Sequence, residues 1–154
     1  MALINTINDS VFGEMIYIHS WERCETQDFF GKILDVRIVA EAYEGQYITD
    51  EQRKAYQRYV RNRENFLEKV APTLLKYYLD NYENISSNVN IPEKINRDNI
   101  NEELIVKLIK VRTVYFDRKG QYGWLCDCVW DEEHGICILL SGNTLTIEDY
   151  DYLL

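Results

Sequence analysis

Between Thr49 and Tyr82 the sequence keeps a helical period longer than any other pattern it contains, and the stretches on either side alternate at the two-residue period of strands. Such a chain has to lay strands against one amphipathic helical segment, because each element offers a single apolar face for burial. The helix start is written in Thr49-Asp50-Glu51-Gln52. This fits a capping box, in which the threonine hydroxyl takes an orphan amide and Gln52 reaches back to the cap. Asp50 and Glu51 add negative charge at the positive end of the helix dipole. Projected at about 100° per residue, Ala55, Tyr56, Tyr59, Val60, Phe66, Leu67 and Val70 share one face, and Lys54, Arg58, Arg61 and Lys69 the opposite one. Arg63 falls near the middle of the apolar face, where it must reach solvent or find a partner. Pro72 predicts an end or a kink, and Leu74, Leu75, Tyr78 and Leu79 carry the helix on to Tyr82.

Residues 11–18 are rich in β-formers, broken by Gly13 and followed by Trp21. Residues 29–43 interleave Ile33, Asp35, Arg37 and Val39 with Leu34, Val36 and Ile38, and the polar stretch 20–28 before them predicts a hairpin connection. Beyond the helix, residues 84–101 form an asparagine-rich polar break containing Pro92. Asn101-Glu102-Glu103 then opens a short helix carrying Leu104, Ile105, Leu108 and Ile109. Residues 111–116, 122–130, 136–140 and 144–150 read as strands, joined by turns at 117–120, 131–135 and 141–143. The expectation is one α+β domain over residues 1–154. It has an N-terminal β-hairpin, central helices over about residues 50–82, and a C-terminal antiparallel β-meander packed against the helices.

Composition narrows the functional classes. Hydrophobic residues make up 46% of the 154, enough to build a core rather than leave the chain disordered. With 17 basic against 26 acidic side chains the formal net charge is −9, which argues against a nucleic-acid binder. The charge is uneven: residues 1–50 hold nine acids and three bases, 51–120 ten acids and fourteen bases, and 121–154 seven acids and no base. An acidic face of that kind suits a basic protein partner. No apolar run is long enough to span a membrane, and the first residues lack the basic and apolar regions of a secretory leader, so a cytoplasmic location is expected.

The chemical motifs are sparse. Neither G-x-x-x-x-G-K-[ST], G-x-G-x-x-G nor G-x-S-x-G occurs. Cys24, Cys126, Cys128 and Cys137 are expected as reduced, packed thiols with no metal or other cofactor. A zinc site competes with that reading, because Cys126, Cys128, His134 and Cys137 are close in sequence, although a C-x-C pair within a strand lacks the usual knuckle. Trp130-Asp131-Glu132-Glu133-His134-Gly135 is the densest polar cluster. It reads structurally as a hairpin turn, with Asp131 accepting amides and Gly135 supplying a positive φ. It reads chemically as a carboxylate–imidazole group of Asp131, Glu133 and His134, fit for a small hydrolase-like enzyme.

Several of these pieces occur together in a wider pattern. Phe12-Gly13, Trp21, Ala42-Tyr43-Glu44-Gly45, I-T-x-x-Q-x-x-A-Y from Ile48 and Y-G-x-L-x-D-C-x-W-D-x-E-H-G from Tyr122 resemble a family of uncharacterised bacterial domains of unknown function. The likeness runs from Val11 to Leu154 and is weaker over residues 84–101. It implies cytosolic α+β domains, in a family that includes candidate immunity or accessory proteins of bacterial toxin systems. It assigns no catalytic residue, and of the four cysteines only Cys128 falls on the pattern.

Two classes of function follow, with an accessory subunit pairing through an apolar edge as a third. The leading expectation is a non-catalytic protein-binding domain that meets a basic partner, such as a toxin, through Glu132, Glu133, His134, Asp149 and Asp151. The other is the enzyme built on Asp131, Glu133 and His134.

Overall fold

The structure, a computed structural model, describes residues 5–86, 96–142 and 144–154. Eight strands form one sheet, and each lies beside its neighbours in sequence. They are β1 (Thr6–Asp9), β2 (Gly13–Tyr17), β3 (Trp21–Phe29), β4 (Lys32–Ala40), β5 (Ile109–Phe116), β6 (Tyr122–Cys128), β7 (Ile136–Ser141) and β8 (Thr144–Asp149). Every neighbouring pair is antiparallel except β4–β5, which is parallel. Tight turns force the antiparallel pairs. The parallel pair needs a long crossover, here carrying the helix α1 (Asp50–Asp80) and the single-turn helices α2 (Tyr82–Ser86) and α3 (Glu102–Ile105).

This architecture corrects the expected one. The N-terminal part is four strands rather than a hairpin, and it joins the C-terminal strands in a single sheet instead of standing apart from a meander. The central helices reduce to one 31-residue helix. Pro72 lies inside it without ending it. Both Pro72 and Glu68, whose carbonyl loses its partner, are exposed, so water satisfies the carbonyl and the helix continues. The polar stretch 20–28 is β3 itself, not a connection. The expected strand over residues 29–43 instead begins after a two-residue turn, Phe30-Gly31, with φ of 59° and 82°. Two positive φ values give the turn a twist that matches the flanking strands. Of the expected break at 84–101, residues 87–95 lie outside the described residues, as does Asn143 of the turn at 141–143.

The capping box is formed: the Gln52 amide donates to the Thr49 hydroxyl at 3.1 Å, and the Thr49 amide to Gln52 Oε1 at 2.9 Å. Ala55, Tyr59, Phe66, Val70, Leu74 and Tyr78 are buried along α1 against Phe29, Ile38, Val114, Phe116 and Trp124 of the sheet. Val60, expected on that face, is exposed. A smaller cluster on the other side of the strands gathers Val39, Tyr115, Leu125 and Cys137 under Leu153, from the 3-10 turn Tyr150–Leu153.

The two ends of the parallel pair differ. β4 and β5 pair only from Arg37–Thr113 to Ala40–Phe116. Just beyond, Gln52 Nε2 donates to the carbonyls of Glu41 at 2.9 Å and Phe116 at 3.3 Å, and Arg118 donates to the carbonyls of Glu41 and Tyr47. That end is stitched shut. At the other end, residues 32–36 and 109–112 carry no pairing with each other.

Candidate functional site

The chain reverses between β6 and β7 through a 3-10 turn, Val129–Asp131, and ends β8 in a second one. Where the two turns meet, Asp131, His134, Gly135, Asp149, Tyr150 and Asp151 line a recess of about 340 Å³. Asp131 organises it. One carboxylate oxygen accepts the His134 amide at 3.2 Å and sits 3.0 Å from His134 Nδ1, while its carbonyl accepts the Gly135 amide at 2.7 Å. Gly135 has φ of 76°, and a Cβ there would lie 2.3 Å from the Cys126 carbonyl oxygen, so the turn needs glycine on both counts.

The hydrogen bond from His134 to the Asp131 carboxylate raises the His134 pKa above its ordinary value, with the charges of Asp131, Glu133 and Asp151 acting the same way. An imidazole raised in this way carries more positive charge near neutral pH than an ordinary histidine, among carboxylates that attract it. Among the described residues no serine, threonine or cysteine lines the recess. Its chemistry is that of carboxylates around one imidazole, open to solvent.

Of the expected site residues, His134, Asp149 and Asp151 come together here, joined by Asp131. Glu133 is exposed beside them, close enough to act on the His134 charge. Glu132 is turned elsewhere and lines a larger cleft of about 860 Å³ between the open ends of β4 and β5.

The zinc reading does not gather its ligands. Cys126 and Cys128 lie in the helix-side core, Cys137 belongs to the cluster on the opposite face, and His134 is exposed on the turn. Burial pushes the Cys128 and Cys137 thiols up to about 12 and Cys126 well above its usual value, which keeps all three protonated and weakly nucleophilic. Asp127, between the two cysteines in β6, is exposed and takes Arg112 Nε at 2.6 Å.

One constellation was not visible in the sequence. Arg23, Glu25 and Gln27 project from β3 towards α1 and form a chain of polar contacts. Arg23 donates to the Tyr56 hydroxyl at 2.6 Å and pairs with Glu25, and Gln27 donates to Glu25 at 2.7 Å. Gln27 Oε1 accepts the Tyr59 hydroxyl at 2.9 Å and Arg63 Nε at 3.1 Å, and the Trp124 indole donates to Tyr59 at 3.0 Å. Burial pushes the Tyr59 phenol up to about 12, so it stays a donor. Arg63 completes its contacts at the Asp28 carbonyl and over the Phe29 ring, which explains an arginine on the apolar face. The recurrence of polar residues every second position along β3 was the available signal.

No helix among the described residues is long and apolar enough to cross a membrane. No curated protein and no solved structure matches the chain. A family model described as Domain of unknown function (DUF6985) matches residues 11–154, and the chain belongs to that family.

Proposed function

We propose that this is a non-catalytic protein-binding domain, of the immunity or accessory type found with bacterial toxins, acting in the cytoplasm on a basic partner. The observation that supports it most directly is the meeting of Asp131, Asp149 and Asp151 around one recess at the end of the sheet. The segment that builds it, residues 121–154, holds seven acids and no base. Complementary charge of that kind accelerates encounter and orients a partner before close contact. The carboxylates of Asp149 and Asp151 are exposed at the recess mouth, as a docking surface requires, and Asp131 is half-buried behind them.

Co-expression with the product of the gene immediately upstream tests the reading. Rescue of growth by this chain, lost on Asp149→Lys with Asp151→Lys, supports it. Absence of rescue, or rescue indifferent to those reversals, overturns it.

A further inference from the structure

The geometry points to the cleft between the first halves of β4 and β5 as a slot for an extended, acid-bearing peptide segment of a partner protein, which enters as an added strand. This docking is separate from the acidic recess and does not depend on it.

The backbone carries the argument. Residues 32–36 of β4 pair with β3 alone, residues 109–111 of β5 pair with β6 alone, and Arg112 falls at a register shift. In an extended strand, backbone groups alternate between its two sides, so each of these edges turns donors and acceptors towards the other, and among the described residues no strand lies between them. Both edges belong to one sheet, and a peptide entering the cleft meets two unpaired edges rather than one. The register shift between Val111 and Thr113 falls where the pairing stops, which is where a bulge re-aims an edge. At about 3.3 Å per residue the free stretch of β4 is long enough for a segment of roughly five residues.

The side chains fit the same occupant. Phe29, Leu108, Val111 and Cys128 are buried below the cleft, and Leu34 and Ile109 are half-buried at its walls. Side chains of a strand alternate, so an apolar set can face this floor while the other set faces water. Lys32, Lys107 and Lys110 line the cleft and are exposed. Of the lining carboxylates Asp127 is already held by Arg112, leaving Glu103 and Glu132 against the three lysines. With Asp127 neutralised by Arg112, the lining keeps an excess of one positive charge in a chain of net charge −9, and this favours acidic side chains on the outer set.

Phe30 stands at the lip with φ of 59°, a backbone conformation that favours glycine or asparagine. The two-residue turn to Lys32 requires that conformation, and the residue is left partly exposed beside the cleft.

Hydrogen exchange on the intact chain tests the proposal, using a capped peptide of alternating valine and glutamate about eight residues long and its valine–lysine counterpart. The glutamate peptide is expected to protect the amides of residues 32–36 and 109–112, and the lysine peptide to leave them exchanging. Lys110→Glu and Lys107→Glu, both surface changes that leave the core intact, are each expected to lose that protection. Asp149→Lys is expected to keep it, whatever becomes of the acidic recess. Protection confined to the outer edges, β1 or β8, or no protection, overturns the proposal. Equal protection by both peptides overturns its charge assignment. Protection that rises with protein concentration and no peptide assigns the slot to a second copy of the chain, and also overturns it.

Discussion

Arg53 holds the carboxylate of Asp9 through Nε at 2.9 Å and a terminal nitrogen at 2.8 Å, tying the end of β1 to the first turn of α1. The other carboxylate oxygen of Asp9 accepts the amides of Val11 and Phe12, both at 3.0 Å. A buried acid at the edge of the sheet thus fixes both the turn that follows it and the helix that crosses over it.

Burial by itself raises the Asp9 pKa, but Arg53 and the two amides outweigh it, and the net shift is downwards from the ordinary 3.8. A carboxylate depressed in the folded state stabilises above its unfolded pKa, and that stabilisation is lost as pH falls through the folded value. Asp9→Asn is expected to cost about 1.5–3 kcal/mol at neutral pH, the worth of hydrogen bonds to a charged group. Thermal melts between about pH 5 and pH 2 should show the gap between wild type and variant closing. A gap that stays constant removes Arg53 pairing as the cause.

Gln52 is fully buried and serves both the helix cap and the closed end of the parallel pair. The Glu41 and Phe116 carbonyls keep other donors, Arg118 and the Glu41 amide respectively, so they are not orphaned when it goes. Gln52→Leu is therefore expected to cost a moderate amount, about 1–2 kcal/mol, measured by denaturant unfolding. Exchange should quicken at Thr49, whose amide loses its acceptor, more than at the amides in the middle of β5.

The helix was legible because its signals are local. Thr49 and Gln52 announce the cap, and Ala55, Tyr59, Phe66 and Val70 repeat on one face. β3 was not, because Arg23, Glu25 and Gln27 look like a surface connection until Tyr56, Tyr59 and Arg63 arrive from more than thirty positions away to satisfy them. The parallel join of β4 to β5 was hidden for the same reason: pairing across a crossover leaves no trace in either strand's own alternation. In the recess, the Asp131 turn could be read from Asp, His and Gly at turn spacing. Its meeting with Asp149 and Asp151 depends on how the chain leaves β8.

Two glycines with positive φ separate backbone strain from collision. Gly31 has φ of 82° with open space around a built Cβ, whereas a Cβ on Gly135 collides with the Cys126 carbonyl and approaches the Tyr150 ring at 3.0 Å. Gly31→Ala is expected to cost about 1 kcal/mol, the price of the left-handed conformation. Gly135→Ala adds overlap with main chain and should cost roughly 2–4 kcal/mol. Chemical unfolding of the two variants side by side checks the order, and equal costs would show that the β6–β7 turn yields to the added methyl.

His134 is tied to its turn through an ionisable contact, Nδ1 lying 3.0 Å from the Asp131 carboxylate. The hydrogen bond to Asp131 raises its pKa above 6.5 in the folded chain. A histidine raised by a partner stabilises below its unfolded pKa, and that contribution is lost as pH rises through the folded value. Asp131→Asn keeps an oxygen for the His134 amide but removes the charge, so the imidazole midpoint should fall back in a proton NMR titration. The melting difference between wild type and Asp131→Asn should be larger at about pH 6 than at about pH 9. The same titration bears on partner binding. Losing the imidazolium leaves the carboxylates of Asp131, Asp149 and Asp151 without a positive neighbour in the recess, so a basic partner docked there should bind more tightly above the midpoint. Affinity that instead falls as His134 deprotonates would remove the recess from the interface.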